Sequence, residues 1–325
     1  MSTVQTLEVS GYQVVQFLGS GACSTIWRIR DCRTEKHYAL KRVVKRHSGD
    51  FRFLEQALNE YDVGYRLDHP NLRHMVELRR IKSWLQLKEI HIIMELCEGQ
   101  TVQENRPKSV LEALRIFMQV GAGLAYINAQ GFVHADMKPN NILVGPDGNI
   151  KIIDFGQSCP LGTVKQRIQG TPDFIAPEQV QRHPLDARTD VFNFGASLFW
   201  TLAGRPIPTT LPSHKSSSLL ADLAPTPLDQ INPEVPAPLS KLVCDCIELH
   251  PSRRPNSMTD VIARMGLIEH KMLRDVQKAQ ENGKPAAPAA ATAAATGPQS
   301  PHVDIDIPDI LSSEDTAIGP SIQFE

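Results

Sequence analysis

Apolar and polar residues alternate along much of the first hundred positions, which predicts β-strands. Residues 12–29 alternate as two strands around a glycine-rich turn, and residues 37–44 form a further strand. Residues 75–99 contain two more strands, MVELRRIK and EIHIIMEL, and the segment 54–67 is expected to be a helix. The first part of the chain is therefore predicted to consist mainly of strands.

Helical periodicity replaces this alternation farther along the chain. In residues 108–130 the apolar side chains recur at helical spacing, and Gly131 supplies a stop signal. The positions that define this spacing are Leu111, Leu114, Phe117, Met118, Leu124 and Ile127. Helices are also predicted at 238–249 and 257–270, and residues 271–283 are expected to extend the second of them.

Several stretches follow neither period. Residues 157–179 contain Gly, Pro and Ser and cannot be assigned to an element, and the Pro- and Ser-rich residues 205–238 predict a long surface connection. Residues 284–299 form an Ala/Pro linker with too little apolar bulk to order itself. The final residues 302–325 alternate Val or Ile with Asp, which is typical of a strand-adding peptide or of an acidic disordered tail, and the tail is favoured.

Composition and charge narrow the classes of partner. The 325 residues are 41% hydrophobic and 22% charged, as in an ordinary globular protein. The 34 Lys and Arg residues nearly balance the 36 Asp and Glu residues, so the formal net charge is -2. Because nucleic acids and anionic membranes attract strongly basic proteins, this balance predicts neither as a partner.

Cysteine usage and targeting signals bear on the compartment. The six cysteines are scattered without a C-x-x-C pair, which predicts reduced thiols and disfavours a structural zinc site. The first residues lack a charged-then-apolar signal, and the longest apolar run, near 191–204, is too short to span a bilayer. The sequence therefore predicts a soluble, cytoplasmic protein.

Polar residues in apolar surroundings mark the stretch 132–156, FVHADMKPNNILVGPDGNIKIIDFG. The dipeptide Asp147-Gly148 is the tip of a predicted hairpin that brings the two ends of this stretch together. Asp136, Asn141 and Asp154 are then expected to converge on one site. Oxygen-bearing side chains beside a lysine suit Mg²⁺ bridging phosphates, because this cation takes one or two protein ligands and leaves its other positions to phosphate and water.

These residues resemble the catalytic loop and metal-binding segment of the eukaryotic-type protein kinase family. HADMKPNN followed by IIDFG is similar to the family pattern H-R-D-L-x-x-x-N followed by D-F-G, with five residues from Asp136 to Asn141 and 18 from Asp136 to Asp154. The other motifs follow in order: a glycine-rich turn, HYALK, the triplet Ala176-Pro177-Glu178, the helix DARTDVFNFGASLFWTLAGRPI and HPSRRP. The resemblance covers about residues 12–268.

The resemblance implies an α+β, bilobal protein-kinase fold with a small β-rich N-lobe and a larger helical C-lobe. The N-lobe is expected at 12–96 and the C-lobe at 97–270. Residues 1–11 would be an N-terminal extension, and residues 271–325 a linker and disordered tail. The resemblance also implies that Arg254 is the ion-pair partner of Glu178 in the C-lobe.

The resemblance assigns roles in phosphoryl transfer to the polar residues of the site. Asp136 would orient the acceptor hydroxyl and take its proton late, and Lys138 would balance charge on the γ-phosphate. Asn141 and Asp154 would hold Mg²⁺, for which Mn²⁺ is the expected substitute. The roles imply ATP as the phosphate donor.

Further residues are expected to bind the nucleotide. Lys41 of HYALK would grip the α- and β-phosphates, paired with Glu60 on the helix 54–67, with Glu55 as the alternative partner. Gly19 and Gly21 would let backbone N–H groups approach the phosphates. The nucleotide-binding residues implied by the resemblance are Gly19, Ser20, Gly21, Ala22, Ile26, Ala39, Lys41, Glu95, Cys97, Leu143 and Asp154.

Departures from the family pattern carry predictions of their own. Ser24 replaces a glycine, which predicts a stiffer or differently shaped phosphate lid, and Gly64 replaces a bulky apolar residue, which predicts a gap and a helix that swings easily. Residues 154–178 resemble the activation segment of the family, and Ala135 replaces the arginine that in regulated relatives pairs with a phosphate on that segment. Lys165 and Arg167 lie on that mobile segment, where only weak, solvent-screened pairing is expected.

Two dipeptides indicate the substrate class. Lys138-Pro139 and Gly170-Thr171 resemble the corresponding motifs of Ser/Thr kinases. The sequence of the central C-lobe helix resembles that of bacterial members of the family. The expected partners are ATP, a protein substrate with a Ser/Thr acceptor and a partner for the acidic tail, with autophosphorylation as well. Two alternatives stay open: a catalytically weak pseudokinase scaffold, supported by Ser24 and Gly64, and a small-molecule phosphotransferase of the aminoglycoside-kinase type.

Overall fold

The computed structural model describes residues 7–21, 23–83, 86–208 and 225–281. The N-terminal region is a five-stranded antiparallel sheet in the order β1-β2-β3-β5-β4. Its strands are β1 (Tyr12–Ser20), β2 (Ser24–Asp31), β3 (His37–Val44), β4 (Met75–Ser83) and β5 (Gln86–Glu95). The alternation along the first hundred residues therefore predicted these strands correctly.

Helix α1 (Phe51–Gly64) packs against this sheet. It begins three residues before the predicted start, where the Asp50 carboxylate accepts the backbone N–H groups of Arg46 and His47 at 2.9 and 2.8 Å. These bonds close the 3-10 turn Ser48–Asp50, which runs directly into the helix, while the Asp50 side chain does not bond to the N–H groups of the first helical turn. Tight turns then carry the chain from Gly64 to Leu67, so the helix itself ends before the predicted boundary.

The C-terminal region is mainly helical, which together with the sheet gives an α+β, bilobal architecture. Its helices are α2 (Val110–Ala129), α3 (Pro177–Val180), α4 (Ala187–Ala203), α5 (Leu228–Ile231), α6 (Ala237–Cys246) and α7 (Met258–Glu281). Its short strands are β6 (Gln100–Thr101), β7 (Phe132–Val133), β8 (Ile142–Val144), β9 (Ile150–Ile152) and β10 (Cys159–Pro160). Helix α7 continues through the polar residues beyond 270, as predicted.

Helix α2 forms the centre of the C-terminal core. Its buried side packs on α4 and α7, and the rings of Phe117 and Phe194 meet edge to face at 5.4 Å. Within the described residues, α2 is the one helix whose length and apolar composition would suffice to cross a bilayer, a test that the core helix of a globular protein also passes. Gly131 follows with a φ of 85°, a left-handed conformation that suits glycine and turns the chain into β7.

The hairpin β8–β9 forms as predicted and joins the two regions. Ile142, Leu143 and Val144 pair with Ile152, Lys151 and Ile150. A bridge between Leu72 and Ile152 connects this hairpin to the segment that precedes β4. Because the two strands of the hairpin are paired, the segment that precedes Ile142 and the segment that follows Ile152 lie side by side. The Ala/Pro linker and the acidic tail lie outside the described residues, as do residues 209–224 of the Pro- and Ser-rich connection.

Candidate active site

Asp190 on α4 holds the loop that carries Asp136. The buried Asp190 carboxylate accepts the backbone N–H groups of His134 and Ala135, both at 2.9 Å, and the side chain of Asn128 at 2.7 Å. Ala135 has a φ of 61°, which is unfavourable for a residue with a Cβ. These hydrogen bonds stabilise that conformation, so the loop reaches Asp136 in a fixed geometry.

Asp136, Lys138 and Thr171 form a compact polar cluster. Lys138 Nζ donates to Asp136 Oδ2 at 2.9 Å and to Thr171 Oγ1 at 2.7 Å. Thr171 in turn donates its backbone N–H and its hydroxyl to Asp136 Oδ1, at 3.1 and 3.0 Å. The Asp136 carboxylate is thus oriented by one cation, the Lys138 amine, and by two neutral donors, the N–H and hydroxyl groups of Thr171.

Asp154 and Asn141 supply oxygen ligands suited to a divalent cation. Burial would raise the pKa of Asp154, but Lys41 and the N–H of Gly156 outweigh it and lower this pKa to about 2. The amide nitrogen of Asn141 donates to the backbone oxygen of Asp136 at 2.8 Å, which leaves its side-chain oxygen as an acceptor. An ionised carboxylate and an amide oxygen fit Mg²⁺, which takes few protein ligands.

The rest of the described chain holds no richer metal site. Within those residues no group of three or more His, Cys, Asp and Glu side chains could hold a metal ion. The six cysteines are all free thiols. A cation bound by Asn141 and Asp154 would therefore take most of its ligands from phosphate and water.

Lys41 on β3 pairs with Glu60 on α1. The distance from Lys41 Nζ to Glu60 Oε2 is 2.5 Å, and the Glu60 side chain is buried. Burial would lower the pKa of Lys41, but the carboxylates of Glu60 and Asp154 outweigh it and raise this pKa, so the amine stays charged. Glu60, and not the exposed Glu55, is therefore the partner of Lys41.

The predicted gap at Gly64 is wrong. A Cβ built on Gly64 would lie 2.8 Å from Met75 Cγ and 3.0 Å from Phe155 Cδ2, which is too close for real atoms. Met75 is fully buried and already fills the space that a bulky residue at position 64 would take. The prediction that α1 is loosened at Gly64 loses its basis.

The glycine-rich turn closes against Ser24. The backbone N–H of Gly21 donates to Ser24 O at 2.9 Å, and a Cβ on Gly21 would meet Ser24 Oγ at 2.9 Å. Gly19 and Ser20 pair with Ile26 and Thr25 at the end of the β1–β2 hairpin. Ala22 lies outside the described residues. Ser24 thus occupies space next to the turn, and its effect on the stiffness or shape of the lid stays a prediction.

The remaining predicted nucleotide-binding residues lie on adjacent strands. Ile26 pairs with Lys41, and Ala39 pairs with the buried Met94, which places them next to the Lys41–Glu60 pair. Leu143 lies on β8, opposite Lys151. The register of the sheet therefore brings together residues that are far apart in sequence.

At the end of β5, the backbone N–H of Glu95 already has a hydrogen-bond acceptor within the protein. The N–H of Glu95 donates to His74 O at 2.9 Å, and its carboxylate binds Lys151 Nζ at 2.8 Å and the His74 N–H at 3.1 Å. The carbonyl oxygen of Glu95 accepts the Cys97 thiol at 3.7 Å. Hydrogen bonds to an adenine edge would therefore use the oxygen of Glu95 and the backbone of Cys97 rather than the N–H of Glu95.

The segment after Asp154 is held by contacts within the protein. Ser158 is buried, with its hydroxyl 3.4 Å from His134 O, and Thr163 donates its hydroxyl to Pro160 O at 2.7 Å. Lys165 Nζ donates to Gln157 O at 2.6 Å, and burial lowers the pKa of this amine. Lys165 is therefore partly buried and already bound within the segment, and its weak pairing with a phosphate stays a prediction.

Glu178 and Arg254 form the predicted ion pair. Two parallel bonds of 2.7 and 2.9 Å join the carboxylate to the guanidinium, and the Arg254 side chain is fully buried. Arg254 also donates to the backbone oxygens of Glu248 and Arg188. The pair ties the end of the activation segment to the turn before α7.

Several contacts at the site involve residues that the sequence analysis did not identify. Gln179 donates to Ala135 O at 2.7 Å, and its amide oxygen accepts the side chain of Asn193 at 3.0 Å. Asn59 and Arg73 contact the backbone on either side of Asp154. Asn59 adjoins Glu60, and Arg73 follows the turn His69-Pro70-Asn71, but no motif spacing points to Gln179, Asn59 or Arg73.

The comparisons with known proteins agree with this geometry. The family model for the protein kinase domain matches residues 12–265. A probable serine/threonine-protein kinase of Clostridium acetobutylicum is 24% identical over 281 residues, and the serine/threonine-protein kinase PrkC of Bacillus subtilis is 29% identical over 265 residues. Sperm motility kinase 2B of Mus musculus is 32% identical over 201 residues.

These alignments cover 84%, 78% and 60% of this chain, respectively. They cover 42%, 40% and 40% of the relatives, so the chain spans about two fifths of the length of the curated relatives it matches.

Proposed function

The chain belongs to the protein kinase family, and we propose that it transfers the γ-phosphoryl group of ATP to serine or threonine hydroxyls of proteins, its own included. The observation that carries the proposal is the cluster of Asp136, Lys138 and Thr171 beside the ionised Asp154. The names of the bacterial relatives support the choice of serine and threonine.

The proposed mechanism assigns orientation and charge balance to this cluster. Asp136 accepts the hydrogen bond of the acceptor hydroxyl and takes its proton late, since transfer of this group demands little covalent help from the protein. Lys138 lies 2.9 Å from Asp136 and places positive charge beside the transferred phosphoryl group. Thr171 holds both side chains and leaves them a single orientation.

The nucleotide is proposed to lie between β1–β3 and the β8–β9 hairpin. Lys41, kept charged and positioned by Glu60, binds the α- and β-phosphates. Asn141 and Asp154 hold the divalent cation, proposed to be Mg²⁺ with Mn²⁺ as a substitute. When bound, the cation neutralises charge on the phosphates.

Two rival functions make different predictions from this one. A pseudokinase scaffold is disfavoured because Lys41, Asp136 and Asp154 are all present and connected. A small-molecule phosphotransferase is disfavoured because Lys138 contacts Thr171 of the activation segment, and because Glu178 of the A-P-E triplet is anchored by Arg254.

The chain, incubated with Mg-ATP carrying a labelled γ-phosphate and a generic protein acceptor, is expected to label serine or threonine in the acceptor or in itself. Phosphoamino-acid analysis identifies the labelled residue. Label on an aminoglycoside alone would support the small-molecule rival, and nucleotide binding without any transfer would support the scaffold.

Activity is predicted to need no phosphate on the activation segment. Ala135 offers no cation to such a phosphate, and Lys165 already binds Gln157 O. Protein made with a co-expressed phosphatase, and the Ser158→Ala/Thr163→Ala variant, should each keep most of the wild-type kcat/KM. A loss of a hundredfold or more in both would show that another basic residue has the role of the missing arginine.

We further propose domain boundaries and a compartment. The N-lobe comprises residues 12–96 and the C-lobe residues 97–270, flanked by an N-terminal extension and a C-terminal tail that has a binding partner of its own. The protein is proposed to be a cytoplasmic, bacterial member of the family, without nucleic-acid or membrane partners. Its free thiols and near-neutral net charge support this assignment.

A further inference from the structure

Asn59 holds the backbone that follows Asp154. Its side-chain nitrogen lies 2.8 Å from Ser158 O, 3.2 Å from Gly156 O and 3.4 Å from Phe155 O. A single amide group therefore faces three carbonyl oxygens of the segment that begins at Asp154. Asn59 is the residue before Glu60 on α1, so the helix that positions Lys41 also holds this segment.

Arg73 holds the backbone that precedes Asp154. Its guanidinium donates to Ile153 O at 3.3 Å and contacts Met94 Sδ at 3.6 Å, and its own backbone N–H donates to Ile152 O at 3.0 Å. A cation that donates to a carbonyl makes a stronger bond than a neutral donor. The two residues before Asp154 are thus tied to the segment between α1 and β4.

Arg73 is an unfavourable choice for packing alone. Its Nε is buried and has no hydrogen-bond partner within the described residues, although an apolar side chain could fill the space beside Met94 without that cost. A partly buried cation whose Nε lacks a partner within the described residues calls for a role in the adjoining site.

We propose that Asn59 and Arg73 are positioning residues that fix the backbone on both sides of Asp154, so that its carboxylate meets the divalent cation of the bound nucleotide. This inference rests on the proposed function of the same site. Because Asn59 lies on α1, the position of Asp154 follows that of the helix carrying Glu60. Neither side chain is assigned a contact with the nucleotide.

Asn59→Leu and Arg73→Met remove the donors and keep similar side-chain size. Binding of a fluorescent ADP analogue is measured first without metal and then as Mg²⁺ is added. We expect metal-free affinity to stay within about twofold of wild type and the half-saturating Mg²⁺ concentration to rise at least tenfold. Arg73→Lys keeps a cationic donor. Its rise in half-saturating Mg²⁺ concentration should therefore be smaller than that of Arg73→Met by at least a third.

Matched controls separate this role from general damage. Asn105→Leu and Arg80→Met make the same substitutions at exposed positions and should leave the Mg²⁺ titration unchanged. If Asn59→Leu fails to fold, as judged by its melting curve, Asn59→Ser provides the same loss with a smaller change in shape. Unchanged half-saturating Mg²⁺ in folded variants at both positions would overturn the inference.

A failure of the positioning roles of Asn59 and Arg73 can be distinguished from a failure of the proposed kinase activity. Wild-type protein that binds the nucleotide and Mg²⁺ but labels no protein would refute the kinase activity while leaving the titration readable. Wild-type protein that labels serine or threonine, with variants that titrate like wild type, would refute the positioning roles alone.

Discussion

Replacing Asp136 with asparagine is expected to lower kcat by about three orders of magnitude, within the range of general-base contributions. The substitution keeps the size of the side chain but removes its negative charge and one of the two oxygen acceptors that Lys138 and Thr171 bind. Since the lost interaction matters chiefly in the transition state, affinity for the nucleotide should stay nearly unchanged. Single-turnover transfer from labelled ATP and equilibrium nucleotide binding measure the two quantities.

Asp147→Asn is the matched control for this prediction. Asp147 is exposed in the β8–β9 turn and accepts hydrogen bonds from Asn149, so the same chemical change there should leave kcat within about twofold of wild type. Equal activity of wild type and Asp136→Asn would remove the basis for the kinase assignment.

Among the variants proposed for this protein, Arg254→Met is expected to lower the free energy of unfolding most. The change leaves the Glu178 carboxylate buried without its cation and also removes the bonds to Glu248 O and Arg188 O. Breaking a buried ion pair from one side costs about 3–5 kcal/mol. For a domain of this size, that corresponds to a fall in Tm of about 10 °C, measurable by calorimetry.

Two variants test the physical reason for this loss. Arg253→Met makes the same substitution at the exposed neighbouring residue and should shift Tm by less than about 2 °C. Glu178→Leu/Arg254→Met removes both charges and should be more stable than Arg254→Met, since no charge is then left unpaired. A Tm of Arg254→Met equal to that of wild type would mean that the pair contributes no net stability.

Local sequence was sufficient for much of the fold and for the residues proposed to act in catalysis. Alternation gave β1 to β5 and helical spacing gave α2, because both periods are properties of neighbouring residues. The spacing of Asp136, Asn141 and Asp154 also depends on one loop and one hairpin, so their approach follows from local structure. Helix ends were less well predicted, as at α1, which continues directly from the 3-10 turn Ser48–Asp50.

Tertiary structure decided what lies next to those residues. Sequence analysis predicted a gap at Gly64, yet Met75 on β4 and Phe155 after β9 occupy it, and both arrive there only when the two regions pack. The contact of Lys165 with Gln157 O likewise forms where the activation segment folds back on itself.

Asn59 and Arg73 show the same limit most clearly. Asn59 is 99 residues from Ser158 and Arg73 is 80 residues from Ile153 in sequence, so no spacing rule connects either pair. The sequence by itself determined the elements, the order of the motifs and the polar groups that converge across the hairpin. Which side chains hold Asp154, and what fills the space beside Gly64, depends on close packing between segments distant in sequence, and packing of that kind leaves no periodic signal in the chain.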